Sequence, residues 1–209
     1  ENCIGLYTGA NSMLTYNEVK ENLKNYMPAK IVSAQLESPD VAIKAAFELA
    51  KKYNSLTILN PAPAREVDEK ILDKVSILTP NESEAKLLAG YKPNADVKLN
   101  NVGNILIEKY GIETVIITLG SEGSLIIKEN ETPKKINAYK VNTKDTLGAG
   151  DCFNGSLTVA LSEGKSLVDS VKWANVAAAL STRDIGGIAP LPSREEIQKH
   201  MKKYEKGDY

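Results

Sequence analysis

Hydrophobic and polar positions along this 209-residue chain switch between two rhythms, short β-rich apolar runs and longer stretches with helical spacing. Ile4 to Tyr7 reads as a strand, and Thr15-Tyr16-Asn17-Glu18 then matches a capping box opening a helix to about Tyr26. Ile31 to Leu36 predicts the next strand. From Ser38-Pro39 a helix starts, with Val41, Ala45, Ala46 and Leu49 among its apolar positions and Pro39 suited to the first turn. Leu56 to Leu59 is a strand closed by the rigid turn Asn60-Pro61-Ala62-Pro63. A short helix around Glu66 to Leu72 leads to a strand from Val75 to Leu78. A further helix from Asn81 to Ala89 is stopped by Gly90. Val97 to Tyr110 predicts another helix and Thr114 to Thr118 another strand. Ser124 to Lys128 and Ile136 to Tyr139 read as an antiparallel edge. Beyond Asp151 the pattern is helical, near residues 151–162, 167–182 and 193–204.

Strands alternating with helices predict crossover units and a largely parallel sheet, an α/β fold of the Rossmann-like three-layer α/β/α kind. No internal repeat, linker or low-complexity segment interrupts it, so residues 1–209 read as a single domain. With 42% hydrophobic residues the chain is long enough for one sizeable core. Lys+Arg number 26 against Asp+Glu 27, a net charge of −1, which argues against nucleic acid or anionic membrane as partner. No apolar stretch approaches membrane-spanning length and the start lacks the pattern of a secretory signal, so a reducing, cytoplasmic setting is expected. Cys3 and Cys152 are too few for a disulfide framework or metal cluster. His200, the only histidine, stands between charged residues and is expected to be a solvated surface residue, which disfavours a Ser-His-Asp triad.

The chemistry concentrates in Asp145-Thr146-Leu147-Gly148-Ala149-Gly150-Asp151, a glycine-bearing loop with an acid at each end. It opens into a helix whose Phe153, Leu157, Ala160 and Leu161 share one face. Glycines 148 and 150 allow close backbone approach to a ligand, and the free N–H groups of a first helical turn make an anion site. An acid there either caps the helix or takes a proton from a hydroxyl while the amides steady a transferring phosphoryl group; the flanking glycines favour the second. Other loops lie where strands end, the usual ligand side of open α/β sheets. Glu37 follows the second strand, as an ordinary helix-entry acid or as a ligand. Asn60 is a turn former. Asn81 and Glu84, three apart, are either a helix cap or a pair on one helical face that supports hydrated magnesium. Thr118-Leu119-Gly120-Ser121-Glu122-Gly123 is a hairpin turn or a rest for a nucleotide. Taken together these loops point to phosphoryl transfer.

Five segments occur in order at the intervals of one family: Gln35-Leu36-Glu37-Ser38-Pro39, Asn60 through Arg65, Thr79-Pro80-Asn81-Glu82, Thr118 through Ser121, and Asp145 through Asp151. The chain thereby resembles the ribokinase-like family of sugar and nucleoside kinases, and the first two segments favour its ribose-phosphorylating members over fructose or adenosine kinases. The resemblance implies ATP-dependent phosphorylation of ribose at O5, with a related sugar or nucleoside kinase, or a nucleotide-binding piece without activity, as alternatives. It implies Asp151 as the base. It implies Gly148, Ala149 and Gly150 as the anion hole, and Asn81 and Glu84 as handling phosphate and hydrated magnesium. Residues 118–123 and Asn175 would bind nucleotide, with Asn175 beside the adenine, and Glu37 would bind sugar. Asp145, the Leu147 carbonyl, Ser181, Asp184 and Gly186 fall where the family holds a monovalent cation such as potassium. Pro190 stands where a serine is common, which puts one cation ligand in doubt. Cys152, beside the base and near a helix start, reads as a small packed residue or as a thiol of lowered pKa. Roughly the first third of the family's fold has no counterpart in the chain. In the family that segment carries further strands, the sugar lid with its dimer contacts, and most sugar contacts. The expectation is a piece of a longer kinase or a shortened protein, and an uncovered apolar face inviting association. A homodimer is the family's habit.

Overall fold

A computed structural model describes residues 8–207. The strand expected at Ile4 to Tyr7, and Cys3, lie outside the described residues. The chain divides into two compact units, one running to Thr114 and one from Val115.

In the first unit a 3-10 turn at Gly9–Met13 precedes α1, Tyr16–Leu23. The Thr15 hydroxyl accepts from the Glu18 N–H while the Glu18 carboxylate accepts from the Thr15 N–H, so the predicted capping box forms. The regular helix stops at Leu23 and tightens into a 3-10 turn to Tyr26, earlier than the pattern predicts. Strands β1 (Ile31–Gln35), β2 (Leu56–Asn60) and β3 (Ile77–Leu78) lie side by side and parallel, Ile31 against Leu56 and Ile58 against Ile77. The helix between the first two, α2 (Asp40–Lys52), buries Ile43, Phe47 and Ala50. Val41, two residues before Ile43 and so about 200° round the helix, is left half exposed. Between β2 and β3, α3 shrinks to Glu69–Leu72, with Asp68 as its cap, because the proline turn and Arg65 occupy the residues before it. α4 (Glu82–Leu88) and α5 (Leu99–Tyr110) follow, close to their predicted limits. Ile43, Phe47, Ile58, Leu59, Ile71 and Leu106 are essentially solvent-free, and each such side chain contributes roughly 1.5–3 kcal/mol by leaving water.

β4, Thr114–Thr118, spans the junction in sequence. In the second unit β5 (Ser124–Lys128) pairs antiparallel with β6, Ser124 opposite Ile136. The second strand of this edge is Lys134–Ile136, not Ile136 to Tyr139 as the apolar pattern predicts. Three helices follow, α6 (Ala149–Ser162), α7 (Leu167–Ser181) and α8 (Arg194–Tyr204). They pack Ala160, Trp173, Val176, Leu180 and Ile197 with Tyr139 and Tyr204 in one apolar cluster. Among the described residues no helix is long and apolar enough to cross a membrane.

Candidate active site

The second unit contains a cavity of about 560 Å³. The loop before α6 reaches it with Thr146, Ala149 and Gly150, and the β4–β5 turn with Thr118, Gly120, Ser121 and Gly123. Asn175 of α7 completes the set of predicted residues that border it. Leu119, Glu122, Gly148 and Asp151 do not line its wall. Glu122 instead points to solvent and pairs with Lys135 at 2.5 Å.

The loop before α6 is held from both ends. Lys144 and Asp145 N–H groups donate to the Thr182 carbonyl at the end of α7, at 2.8 and 3.2 Å. The Asp145 carboxylate accepts from Leu147 N–H through Oδ1 and from Gly186 N–H through Oδ2, both at 3.0 Å. These amides hold the Asp145 carboxyl below the usual carboxylate range. Gly148 takes φ +74°, and a Cβ there would come within 3.1 Å of the Gly187 carbonyl, so only glycine lets the two loops meet. Ala149 N–H is engaged by the Thr146 carbonyl at 3.2 Å. Gly150 is different: a Cβ there meets nothing within 4 Å. Asp151, third residue of α6, is exposed in the first helical turn, where backbone N–H groups and the helix dipole gather.

The turn from Thr118 joins β4 to β5. Leu119 N–H donates to the Gly123 carbonyl at 2.8 Å, closing the connection between strands, and the turn also borders the cavity. Gly123 is required for packing: at φ +100° its Cβ would sit 2.1 Å from the Ile136 carbonyl oxygen. Asn175 is buried and fully engaged. Its Oδ1 accepts from the Ser124 hydroxyl at 2.7 Å, and its Nδ2 donates to the Ile136 and Asn137 carbonyls at 3.2 and 3.1 Å. Tyr139, Val141, Thr143, Ala178, Ala179 and Thr182 also border the cavity, and sequence reasoning singled out none of them. The signal available was the run Ala177-Ala178-Ala179 on a buried helix, since small side chains leave room beside a backbone.

Cys152 is buried, and burial pushes its thiol above the ordinary value despite the nearby helix start, so of its two readings the packed residue is what forms. One expectation here needs correction: His200 is not a solvated surface residue. Its Nδ1 is 2.8 Å from the Tyr139 hydroxyl, the rings meet edge-on at 5.2 Å, and burial together with the Arg183 and Lys203 charges lowers its pKa.

In the first unit a second cavity of about 490 Å³ is bordered by Glu37, Ser38, Asp40 and Arg65, with Asn11 and Ser12. Arg65 is tied down by Asp40 Oδ1 at 2.5 Å and by the Leu36 carbonyl at 3.3 Å. Asn81 and Glu84 form a capping box rather than a pair on one helical face, because Asn81 precedes the helix with extended backbone. Glu84 is only 8% exposed, and burial raises its pKa despite the bond from Asn81 N–H.

Among the described residues no three His, Cys, Asp or Glu side chains gather, so no all-carboxylate cage for a divalent ion exists there. What remains suits a hydrated or monovalent ion. Glu84 spends Oε2 on its cap, so a magnesium-bound water, were one held there, would fall to Oε1. The predicted monovalent set offers hard oxygens at Asp145, the Leu147 carbonyl and Ser181, whose hydroxyl donates to the Ala178 carbonyl and also meets the Cys152 thiol. Asp184 fits less well, since Lys144 holds its carboxylate at 2.6 Å.

The start of α6 thus joins an unobstructed backbone at Gly150, an exposed acid in the first turn and a cavity bordered by Ala149 and Gly150. The pattern of the pfkB family of carbohydrate kinases matches residues 1–194, and the chain belongs to that family. Its relatives include ribokinases. It is 38% identical to the ribokinase of Staphylococcus aureus over 198 residues, 94% of this chain and 64% of that one. The ribokinase of Haemophilus influenzae is 35% identical over 94% of this chain and 63% of its own length. The structure of Arabidopsis thaliana ribokinase complexed with ribose and ATP superposes with a TM-score of 0.85 at 29% identity, covering 97% of this chain and 65% of that one. The Thermotoga maritima ribokinase does so at 0.81 and 33% identity, covering 97% and 66%. The fold is therefore ribokinase-like α/β. The chain spans just under two thirds of the length of the curated ribokinases it matches.

Proposed function

We propose that the chain forms the nucleotide-binding and base-bearing part of an ATP-dependent kinase that phosphorylates D-ribose at O5. One observation carries this reading: the exposed Asp151 follows immediately on Ala149 and Gly150, which border the cavity also edged by the Thr118–Gly123 turn. The cavity takes the nucleotide. The first-turn amides of α6 receive the γ-phosphoryl group, where peptide dipoles stabilise the charge that develops on its oxygens. Asp151 accepts the proton from the sugar hydroxyl as that oxygen attacks in line. Glu37, at the edge of the first unit's cavity, supplies a sugar contact. Magnesium would be held by Glu84 and Asn81 through water and would neutralise phosphate charge. A potassium ion would sit on Asp145, the Leu147 carbonyl, Ser181, Asp184 and Gly186 and hold the anion loop in shape.

The test is ribose-dependent ADP release by the complete protein, with fructose and adenosine as competing acceptors. Asp151→Asn is expected to abolish turnover and keep ATP binding. Near-original turnover in that variant, or activity on adenosine alone, overturns the assignment. For the 209-residue chain by itself, nucleotide binding without transfer is a second reading. The share of its relatives' length that it spans favours it, and the same assay on that chain decides it.

A further inference from the structure

After Ile136 the chain leaves the sheet, so ladder hydrogen bonds no longer fix it, yet residues 138–141 form one wall of the cavity. Three side chains hold that wall. Asn175 of α7 donates to the Asn137 carbonyl, and Tyr204 of α8 donates to the same oxygen at 2.8 Å. His200, one helical turn before Tyr204, meets the Tyr139 hydroxyl at 2.8 Å. No residue of α8 borders the cavity, so its polar side chains reach it through this wall, while its apolar face packs on α7. The Tyr139 ring is 8% exposed and packs among Ala160, Trp173 and Ile197; a phenylalanine would fill that space equally well. The hydroxyl is therefore there for its partner, since a buried polar group without one is costly.

We infer that His200 and Tyr204 of α8 are positioning residues for the nucleotide, setting the place of the 138–141 wall through Tyr139 and Asn137. This rests on the reading of the cavity as the nucleotide site. In the same cavity Ala178, Ala179 and Phe153 add apolar lining, the surface a flat nucleobase requires. A wall displaced by a fraction of an ångström alters base contacts while the anion loop and Asp151, on another segment, keep their places.

The experiment uses the complete protein, with ATP and GTP binding measured by titration calorimetry, turnover measured with ribose, and melting temperature recorded for every variant. Tyr139→Phe and His200→Ala are each expected to weaken ATP binding about fivefold, the size of one hydrogen bond, and to narrow the preference for ATP over GTP. For His200→Ala, which stands outside the cavity, turnover at saturating ATP and the KM for ribose are expected to stay put. The double variant is expected to be no worse than either single one, because both remove the same bond. His200→Asn, whose amide reaches where Nδ1 lies, is expected to restore binding. Unchanged ATP affinity in both single variants, additive losses in the double variant, or equal losses in turnover and ribose KM overturn the inference. Failure of the unsubstituted protein to bind either nucleotide would overturn the nucleotide reading itself and this inference with it.

Discussion

Asn81 and Glu84 close a reciprocal pair at the start of α4, the Asn81 N–H donating to Glu84 Oε2 at 2.8 Å and the Glu84 N–H to Asn81 Oδ1 at 2.9 Å. The pair gives Glu84 a structural task in addition to the proposed magnesium-bound water, and substitutions can separate the two. Asn81→Ala removes a cap and is expected to cost about 1 kcal/mol in urea unfolding.

Glu84→Gln keeps the cap geometry, so folding is expected to survive while turnover falls at saturating magnesium. The folded-state pKa of Glu84 is raised, so the folded chain holds its proton to higher pH than the unfolded chain does. Its ionisation therefore lowers stability as pH climbs above the unfolded value near 4.5. Urea midpoints from pH 4 upward should lose that decline in Glu84→Gln. A decline of equal size in both proteins would show that another group causes it.

Asp145 works with the opposite sign. Amides of Gly186 and Leu147 depress its pKa, so it supports the fold above the unfolded value near 3.8 and that support is lost as pH falls through the folded value. Asp145→Asn leaves one acceptor oxygen for the two N–H donors, and no charge. It is expected to flatten the acid side of the stability profile and to weaken the response of turnover to potassium; an unaltered potassium response would count against the cation assignment.

Two glycines separate packing from function. Gly123→Ala forces a methyl group to 2.1 Å from the Ile136 carbonyl at a positive φ, and is expected to destabilise by more than about 3 kcal/mol. Gly150→Ala meets nothing and takes ordinary helical backbone, so its melting temperature should hold or rise slightly. Its methyl group stands where the phosphate is proposed to pass, and ATP binding is expected to drop at least about tenfold. Unchanged binding in Gly150→Ala would remove the phosphate from that spot.

Cys152 offers a simple check of burial. With Cys3 replaced, alkylation at neutral pH is expected to be far slower in the native protein than in urea, because the buried thiol ionises poorly. Rapid native labelling would mean that the start of α6 opens.

Order and kind of element were legible in the sequence because they rest on local physics. The Thr15–Glu18 box, the Asp145–Asp151 loop opening α6, and the parallel strands separated by helices each follow from contacts within a few residues or from the spacing of apolar side chains. The motifs also marked most of the loops that border the two cavities. Only tertiary structure decided which side chains were already committed. Asn175 is spent on the Ile136 and Asn137 carbonyls, Gly123 on the close approach of Ile136, and His200 on Tyr139, and each partner lies 13 to 61 residues away in the chain. Such partnerships depend on where helices and strands come to rest, and a one-dimensional pattern carries no term for that. The same reason hid Tyr139 and Ala178 as cavity walls: their residue types are ordinary, and only the surrounding fold leaves space beside them.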